Sequence, residues 1–334
     1  MKPHSSTSNS DRRVVLRFLA RGAVLAALVC AGQIAIYWWR WPGDTPPPVL
    51  ALERIQDEGT DVLFLGDSTV FTSREDDSDH SSIPEMLRRA APDLRIEDIC
   101  DAAFNLTLYE GIAHYVEDAE TPVATVVFPI NMRLVGPQHE RLPYRYVDKE
   151  LLFLRHRSFL FRIAYRPLAS FKAFTFRSVT VEDFQQLPVL DGTADLGPVG
   201  EFNPQYEIHI GEEQRTRLVT FFYMYSLTSE SQALAEFGRS LDALHRAGIR
   251  ALPYITPLDV EAGEQYLGAR FRTRIRENVA YFKNAAEARG VQLLDLSEAL
   301  PGSCFIRGSY PDEHLRDTGR KAVADRLAEA LRQQ

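Results

Sequence analysis

Short apolar segments alternate with longer segments of helical periodicity over most of this 334-residue chain. The strand candidates, rich in branched and aromatic residues, are 61–65, 94–99, 124–128, 250–255 and 292–294. The helix candidates are 82–91, 106–118, 229–247, 271–289 and 319–332, the last with Asp317 or Thr318 placed to cap it. Strands that are apolar on both faces and separated by helices are typical of a parallel sheet covered on both sides. The sequence therefore predicts an α/β fold with a central parallel sheet.

The N-terminal region departs from this alternation, because no charged residue lies between Arg21 and Arg40. A run of roughly 18 apolar residues just spans a bilayer. Four arginines precede the run and four aromatic residues follow it, as is typical of a span with its N-terminus in the cytoplasm; they are Arg12, Arg13, Arg17 and Arg21, then Tyr37, Trp38, Trp39 and Trp41. We predict a basic cytoplasmic tail (1–21), a transmembrane anchor (22–41) and an extracytoplasmic domain, periplasmic or extracellular.

A cleaved signal peptide is the alternative interpretation of the same segment, since it also combines a charged start with an apolar run. The aromatic belt and the lack of a small-x-small cleavage site favour an uncleaved anchor. Either route leaves the rest of the chain outside the cytoplasm. After the anchor we predict a stiff proline-rich linker (42–49) and one domain (50–334), with an insertion at about 134–227 that is aromatic and basic at its start.

Composition excludes some functions. The formal net charge of -8 and the pI near 5.6 argue against nucleic-acid binding, which needs a concentrated basic face. The pattern indicates no cofactor and no metal site. Of the three cysteines, Cys30 lies in the predicted anchor, whereas Cys100 and Cys304 could form a disulfide or remain two buried thiols.

The strongest local motif is Gly66-Asp67-Ser68, which follows the first predicted strand. Ligand sites of open parallel sheets collect at the carboxyl ends of the strands. A serine there starts the next helix, where its own N–H faces the group that its oxygen attacks. By itself the tripeptide is more often a turn with a helix cap.

A second motif near the C-terminus supports a catalytic interpretation. Asp312 and His314 lie in the loop before the last predicted helix. A serine hydroxyl needs a base to accept its proton, and a histidine serves well near neutral pH when a carboxylate fixes its tautomer. We predict Ser68 as nucleophile, His314 as base and Asp312 as the residue that orients it.

These motifs, in this order, resemble the SGNH (GDSL) hydrolase superfamily from about residue 50 to the C-terminus, apart from the insertion. The resemblance implies a flavodoxin-like three-layer sandwich and a serine esterase or acyltransferase. Gly66-Asp67-Ser68 matches its first block, and Asn131 takes the place of the third-block asparagine that donates to the oxyanion. Asp312 and His314 match the fifth block. With a single residue between them, they resemble the membrane-tethered branch that includes the alginate O-acetyltransferase accessory proteins.

The second block departs from the family, because it lacks the glycine whose N–H usually completes the oxyanion hole. We predict Ser68, Ala103 and Asn131 as oxyanion donors, with Asn105 as a substitute candidate and Gly66 and Asp67 as supporting residues. The expected substrate is an acylated, foremost acetylated, cell-envelope polysaccharide or lipid, and a membrane-bound acyltransferase is a candidate partner. The alternative is an accessory or binding protein of polysaccharide assembly with little catalysis of its own.

An acidic cluster, Glu75 to His80, follows the candidate nucleophile. It lacks the ligand spacing and glycine turn of a calcium loop. We therefore predict a solvated loop rather than a cation site.

Overall fold

A computed structural model describes residues 9–40, 45–136, 148–156, 158, 212–306 and 311–333 of the chain. The N-terminal part is a single helix, α1 (Asn9–Arg40). Its stretch Arg13–Gly32 has a mean hydropathy of 2.0 and is long and apolar enough to cross a membrane by length and composition. This stretch overlaps the predicted anchor but begins earlier, and Trp41 lies outside the described residues.

A parallel five-stranded sheet forms the centre of the domain. Its strands are β1 (Thr60–Gly66), β2 (Ile96–Cys100), β3 (Val123–Ile130), β4 (Arg250–Ile255) and β5 (Leu294–Asp295). The spatial order is β2-β1-β3-β4-β5, and every neighbouring pair is parallel. This is the strand order of flavodoxin-like folds. The predicted fold class is therefore confirmed.

Helices cover both faces of the sheet. They are α2 (Pro47–Glu58), α3 (Ile83–Ala90), α4 (Leu106–Asp118), α5 (Asp148–Arg155), α6 (Glu212–Tyr223), α7 (Gln232–Arg246), α8 (Val260–Leu267), α9 (Ala269–Glu287) and α10 (Asp317–Arg332). Successive residues of a strand point to opposite faces. In β3, Val127 belongs to one buried cluster with Leu87 of α3 and Leu327 of α10. The ring of Phe128, the next residue, lies 6.2 Å from that of Phe237 in α7.

The strand order also determines where a site can form. The chain runs from β1 outward to β2 and then returns to β3 on the other side of β1. Ligands of such sheets bind at this reversal, beyond the carboxyl ends of the two strands. Here those ends are Gly66 of β1 and Ile130 of β3. Ser68 and Asn131 therefore emerge side by side.

Two helix starts differ from the predictions. Pro47 and Pro48 begin α2 instead of continuing an extended linker, because the first N–H groups of a helix have no intrahelical partner and proline loses nothing there. The last helix is capped neither by Asp317 nor by Thr318. Its N-cap is Arg316, and Asp317 is its first residue, with its carboxylate turned to the N–H of Ser78.

The predicted insertion lies largely outside the described residues. Within 134–227, the structure describes two helices, α5 and α6, whose bounds the sequence did not predict. The basic and aromatic stretch at the start of the insertion is described only as far as part of α5 and the residues just after it.

Candidate active site

The end of β1 brings the candidate nucleophile to the carboxyl edge of the sheet. A side chain on Gly66 would lie 2.6 Å from Val70 Cγ2 and 2.8 Å from Cys100 Sγ. Close packing therefore requires a glycine between the strand and the turn that follows. That turn is a single 3-10 turn, Ser68–Val70, and not the start of an α-helix as the sequence had indicated.

Asp67 fixes this turn and connects it to the end of β3. Its Oδ1 accepts hydrogen bonds from the Thr69 N–H at 2.8 Å and the Thr69 hydroxyl at 2.6 Å. Its Oδ2 accepts one from Asn131 Nδ2 at 3.0 Å. Asp67 is buried, so these bonds are shielded from competing water.

The structure brings Ser68, His314 and Asp312 together. Ser68 Oγ lies 3.0 Å from His314 Nε2, and His314 Nδ1 lies 2.6 Å from Asp312 Oδ1. The Asp312 side chain is fully buried, whereas that of His314 is 20% exposed, which leaves the ring within reach of a substrate. This is the spatial relation of nucleophile, base and orienting acid in a serine triad.

Backbone contacts hold the histidine loop in place. Ile306 N–H donates to the His314 carbonyl at 2.9 Å, and Arg316 N–H donates to the Cys304 carbonyl at 2.8 Å. The N–H groups of Glu313 and His314 donate to Asp312 Oδ1 at 3.0 and 3.2 Å. The Asp312 carboxylate is thus held by backbone N–H groups of its own loop as well as by the imidazole.

Two opposing influences act on the pKa of His314. Burial lowers it, because a charged ring is poorly solvated there, but the hydrogen bond and negative charge of Asp312 raise it more. The net result is a pKa above the ordinary value of 6.5. The ring is therefore a stronger base than a free histidine.

The three predicted oxyanion donors follow the ends of three neighbouring strands, Ser68 after β1, Ala103 after β2 and Asn131 after β3. Within the described part of the chain, neither the Ser68 N–H nor the Ala103 N–H donates to another group. The Asn131 amide carries two N–H donors, of which one is bonded to Asp67. All three residues can therefore still donate to a ligand.

Ala103 has the backbone conformation of a glycine. Its φ is +61°, in the left-handed region that other residues rarely adopt, in a turn closed by the Phe104 N–H and the Asp101 carbonyl at 3.4 Å. The backbone shape is thus one that a glycine adopts freely. Asn105, the substitute candidate, caps α4, since its Oδ1 accepts from the Leu108 N–H at 3.2 Å.

Glu313, between the two catalytic candidates, was not predicted to take part. It is buried, and its Oε2 accepts from the Tyr223 hydroxyl at 3.0 Å. The Arg133 N–H is shared between Glu313 Oε1 at 3.1 Å and Asn131 Oδ1 at 2.9 Å. Burial raises the pKa of Glu313 to about 7. Glu313 therefore links the loop that carries His314 to the loop that carries Asn131. No local sequence pattern predicted this contact.

Most of the acidic cluster is exposed, as predicted for a solvated loop, but Asp77 is buried. The Asp77 side chain is fully buried and accepts from Arg320 Nη1 at 3.1 Å and Arg316 Nε at 3.2 Å. Sequence spacing could not reveal these arginines as partners, since they lie about 240 positions further along the chain. No group of metal-binding side chains occurs among the described residues.

Cys100 and Cys304 are separate thiols in the structure. Burial raises the pKa of the Cys100 thiol well above its ordinary value. Of the two predicted alternatives, the structure has the separate thiols, and both are half-buried.

No family model and no curated protein matches the chain. Among solved structures, the chain is similar to Axe2, an acetylxylan esterase from Geobacillus stearothermophilus, with a TM-score of 0.39 and 13% identity over 82% of this chain and 94% of the esterase. Two catalytic mutants of Axe2 match with TM-scores of 0.38 and 0.39, both at 13% identity with the same coverage of each chain. The likeness is distant, so the candidate site rests on the geometry of this chain alone.

Proposed function

We propose that this chain is a membrane-anchored, extracytoplasmic serine esterase or O-acyltransferase that acts on acetyl or other acyl esters of a cell-envelope polysaccharide or lipid. One observation carries the proposal: Ser68 Oγ lies 3.0 Å from His314 Nε2, whose Nδ1 lies 2.6 Å from the buried Asp312. Residues separated by 246 positions meet at hydrogen-bond distance at the edge of the sheet where ligands bind.

The chemistry follows from the three groups. His314 accepts the hydroxyl proton while Ser68 Oγ bonds to the ester carbonyl carbon, and the carbonyl oxygen becomes an oxyanion. The N–H donors of Ser68, Ala103 and Asn131 stabilise that charge, each contributing on the order of 10²-fold or more in rate. The imidazolium, stabilised by Asp312, then protonates the departing alkoxide and leaves an acyl-enzyme.

The acyl group then passes to a second hydroxyl compound through the same steps in reverse order. If water is the acceptor the reaction is hydrolysis, and if a sugar hydroxyl is the acceptor it is acyl transfer. A membrane-bound acyltransferase is the partner that would fit the second case. The apolar stretch Arg13–Gly32 supports a membrane location, at which envelope polymers are within reach.

The proposal is tested with a fluorophosphonate probe on the full chain in detergent. We expect labelling that disappears in Ser68→Ala, and hydrolysis of p-nitrophenyl acetate that falls sharply in His314→Ala. Ser73→Ala is the matched control, because Ser73 Oγ also contacts a histidine, His80, but at 3.3 Å on an exposed surface. A folded wild-type protein that is neither labelled nor active would favour the accessory or binding role instead.

A further inference from the structure

Arg320, in the first turns of α10, is a fully enclosed charged side chain near the site. Its side chain has no exposed surface. Burial removes the hydration of a guanidinium, and this cost is offset only when its N–H donors are paired with protein acceptors. Five acceptors surround it: the Ser81 carbonyl at 3.0 Å, Thr72 carbonyl at 2.9 Å, Asp77 Oδ2 at 3.1 Å, Leu315 carbonyl at 2.6 Å and Asp79 carbonyl at 2.6 Å.

These acceptors come from the two chain segments that carry the reacting groups. On the nucleophile side, both the N–H and the hydroxyl of Thr72 donate to the Ser68 carbonyl, at 3.0 and 2.6 Å. The carbonyl of the same Thr72 accepts from Arg320. One residue therefore separates the guanidinium from the backbone of the nucleophile.

On the base side the connection is equally short. The Leu315 carbonyl, which accepts from Arg320, belongs to the residue directly after His314. Arg316 adds a second link, because its Nε donates to Asp77 Oδ1 at 3.2 Å. A third link is the Ser78 N–H, which donates to Asp317 Oδ2 at 3.0 Å.

We propose that Arg320 is a positioning residue for the Ser68–His314 pair, holding the segment after the nucleophile and the segment after the base at a fixed separation. The inference rests on the proposed function and extends it. Arg320 touches neither Ser68 Oγ nor the His314 ring, so it acts through the backbones of Thr72 and Leu315. A displacement of about 1 Å between reacting groups can cost about 10²-fold in rate.

Three substitutions would weaken the contacts of Arg320 to different degrees. Arg320→Lys keeps the charge beside Asp77 but cannot reach five acceptors, because an ammonium has three donors on a single nitrogen. Arg320→Met removes the charge and the donors, while Asp77→Asn leaves Arg320 in place and weakens its charged contact. Arg289→Met is the control, since Arg289, which follows α9, bonds Asp242 of α7 at 2.8 Å and takes no part in the site.

The measurement is kcat and KM for p-nitrophenyl acetate, with the rate of fluorophosphonate labelling, on full-length variants at a temperature where circular dichroism shows each to be folded. We expect kcat to fall about 10- to 100-fold in Arg320→Met, less in Arg320→Lys and Asp77→Asn, with KM nearly unchanged. The midpoint of the pH profile should stay at the wild-type value, because the charge on His314 is not altered. Arg289→Met should keep wild-type kcat even if it is less stable.

The possible results separate the two proposals. An inactive, unlabelled wild type overturns the proposed function and this inference with it. An active wild type whose folded Arg320→Lys and Asp77→Asn variants retain full kcat overturns this inference alone, even if Arg320→Met does not fold. Loss of stability without loss of kcat would assign Arg320 to the fold and not to the alignment of the pair.

Discussion

At the scale of single residues, the site depends on how one carboxylate alters one imidazole. Burial alone would lower the pKa of His314 and leave it a weak base. The Asp312 contact at 2.6 Å reverses this, because the buried carboxylate stabilises the charged ring. Asp312 therefore both orients the ring and sets the pH range in which it can accept a proton.

This predicts the acid limb of the pH profile. The base acts in its neutral form, so kcat/KM for p-nitrophenyl acetate should fall as the pH drops through a midpoint above 6.5, the ordinary pKa of histidine. In Asp312→Asn the midpoint should move to lower pH, since the raising influence is lost and burial remains. The plateau rate should drop by about 10⁴-fold, as expected when the tautomer is no longer fixed. Equal midpoints in the two proteins would contradict this account.

Glu313 is a second buried carboxyl, and its ionisation should affect stability. Its pKa rises from 4.5 to about 7 in the folded chain, so the folded state binds the proton more tightly than the unfolded state. The stabilisation from this proton is fully present below pH 4.5 and is lost as the pH rises through 7. Its size is about 3 to 4 kcal/mol at most, from about 1.4 kcal/mol per pKa unit.

Glu313→Gln should remove this pH dependence. We expect the thermal midpoint of the variant, relative to wild type, to be clearly higher at pH 8 than at pH 5, because only wild type must bury a charge at the higher pH. Tyr223→Phe is a useful comparison, since it deletes the hydroxyl bonded to Glu313 at 3.0 Å but leaves the carboxyl. A difference between Glu313→Gln and wild type that is the same at both pH values would mean that Glu313 does not titrate in this range.

At the scale of elements, the sequence predicted helices and strands whose apolar residues recur at regular spacing. It did not predict contacts between residues that lie far apart in the chain. The strand 250–255 and the helix 106–118 have the predicted boundaries because their apolar patterns match regular burial. Ser68 and Asn131 were placed at strand ends by the predicted strands together with the motifs that resemble a known family. The burial of Glu313 and Arg320 could not be predicted, because both look like surface residues until their partners, Tyr223 and Asp77, are brought in by the fold.

Packing between α8 and α9 gives a prediction at this scale. A side chain on Gly263 would lie 2.2 Å from Cε1 of Phe271, whose ring is fully buried and packs on Tyr223 at 5.6 Å. Gly263→Ala should therefore destabilise the domain by about 1–3 kcal/mol, because the ring cannot move aside.

Gly238→Ala is the matched control for this packing argument. Its new side chain would meet only the end of Arg289, which is 34% exposed and can move. Alanine is also favoured over glycine in a helix by about 1 kcal/mol. Thermal unfolding should therefore show a large loss for Gly263→Ala and little or none for Gly238→Ala. Equal losses would show that α8 and α9 adjust to each other freely.

At the scale of the whole molecule, the anchor that we propose would decide which substrates the site can meet. Residues 22–39 of α1 carry no charge and form about 27 Å of helix, close to the thickness of the hydrocarbon core of a bilayer. The same triad would meet cytosolic metabolites if the domain were on the inner side. The orientation of one helix therefore separates an envelope enzyme from a cytosolic one without any change in the site.

The orientation of α1 in the membrane should be set by the arginines near its start, because positive residues that flank a span are retained in the cytoplasm. These are Arg12, Arg13, Arg17 and Arg21. In cells with a permeabilised outer layer, added protease should digest the domain of the wild type. Replacing all four arginines by glutamine should protect a substantial fraction of the protein, since the difference in positive charge across the span is lost. Arg40→Gln is the control and should leave digestion complete, because it removes a positive charge from the opposite side. Protection of the wild-type domain would place it in the cytoplasm and exclude an envelope substrate, while the chemistry inferred for Ser68 and His314 would be unaffected.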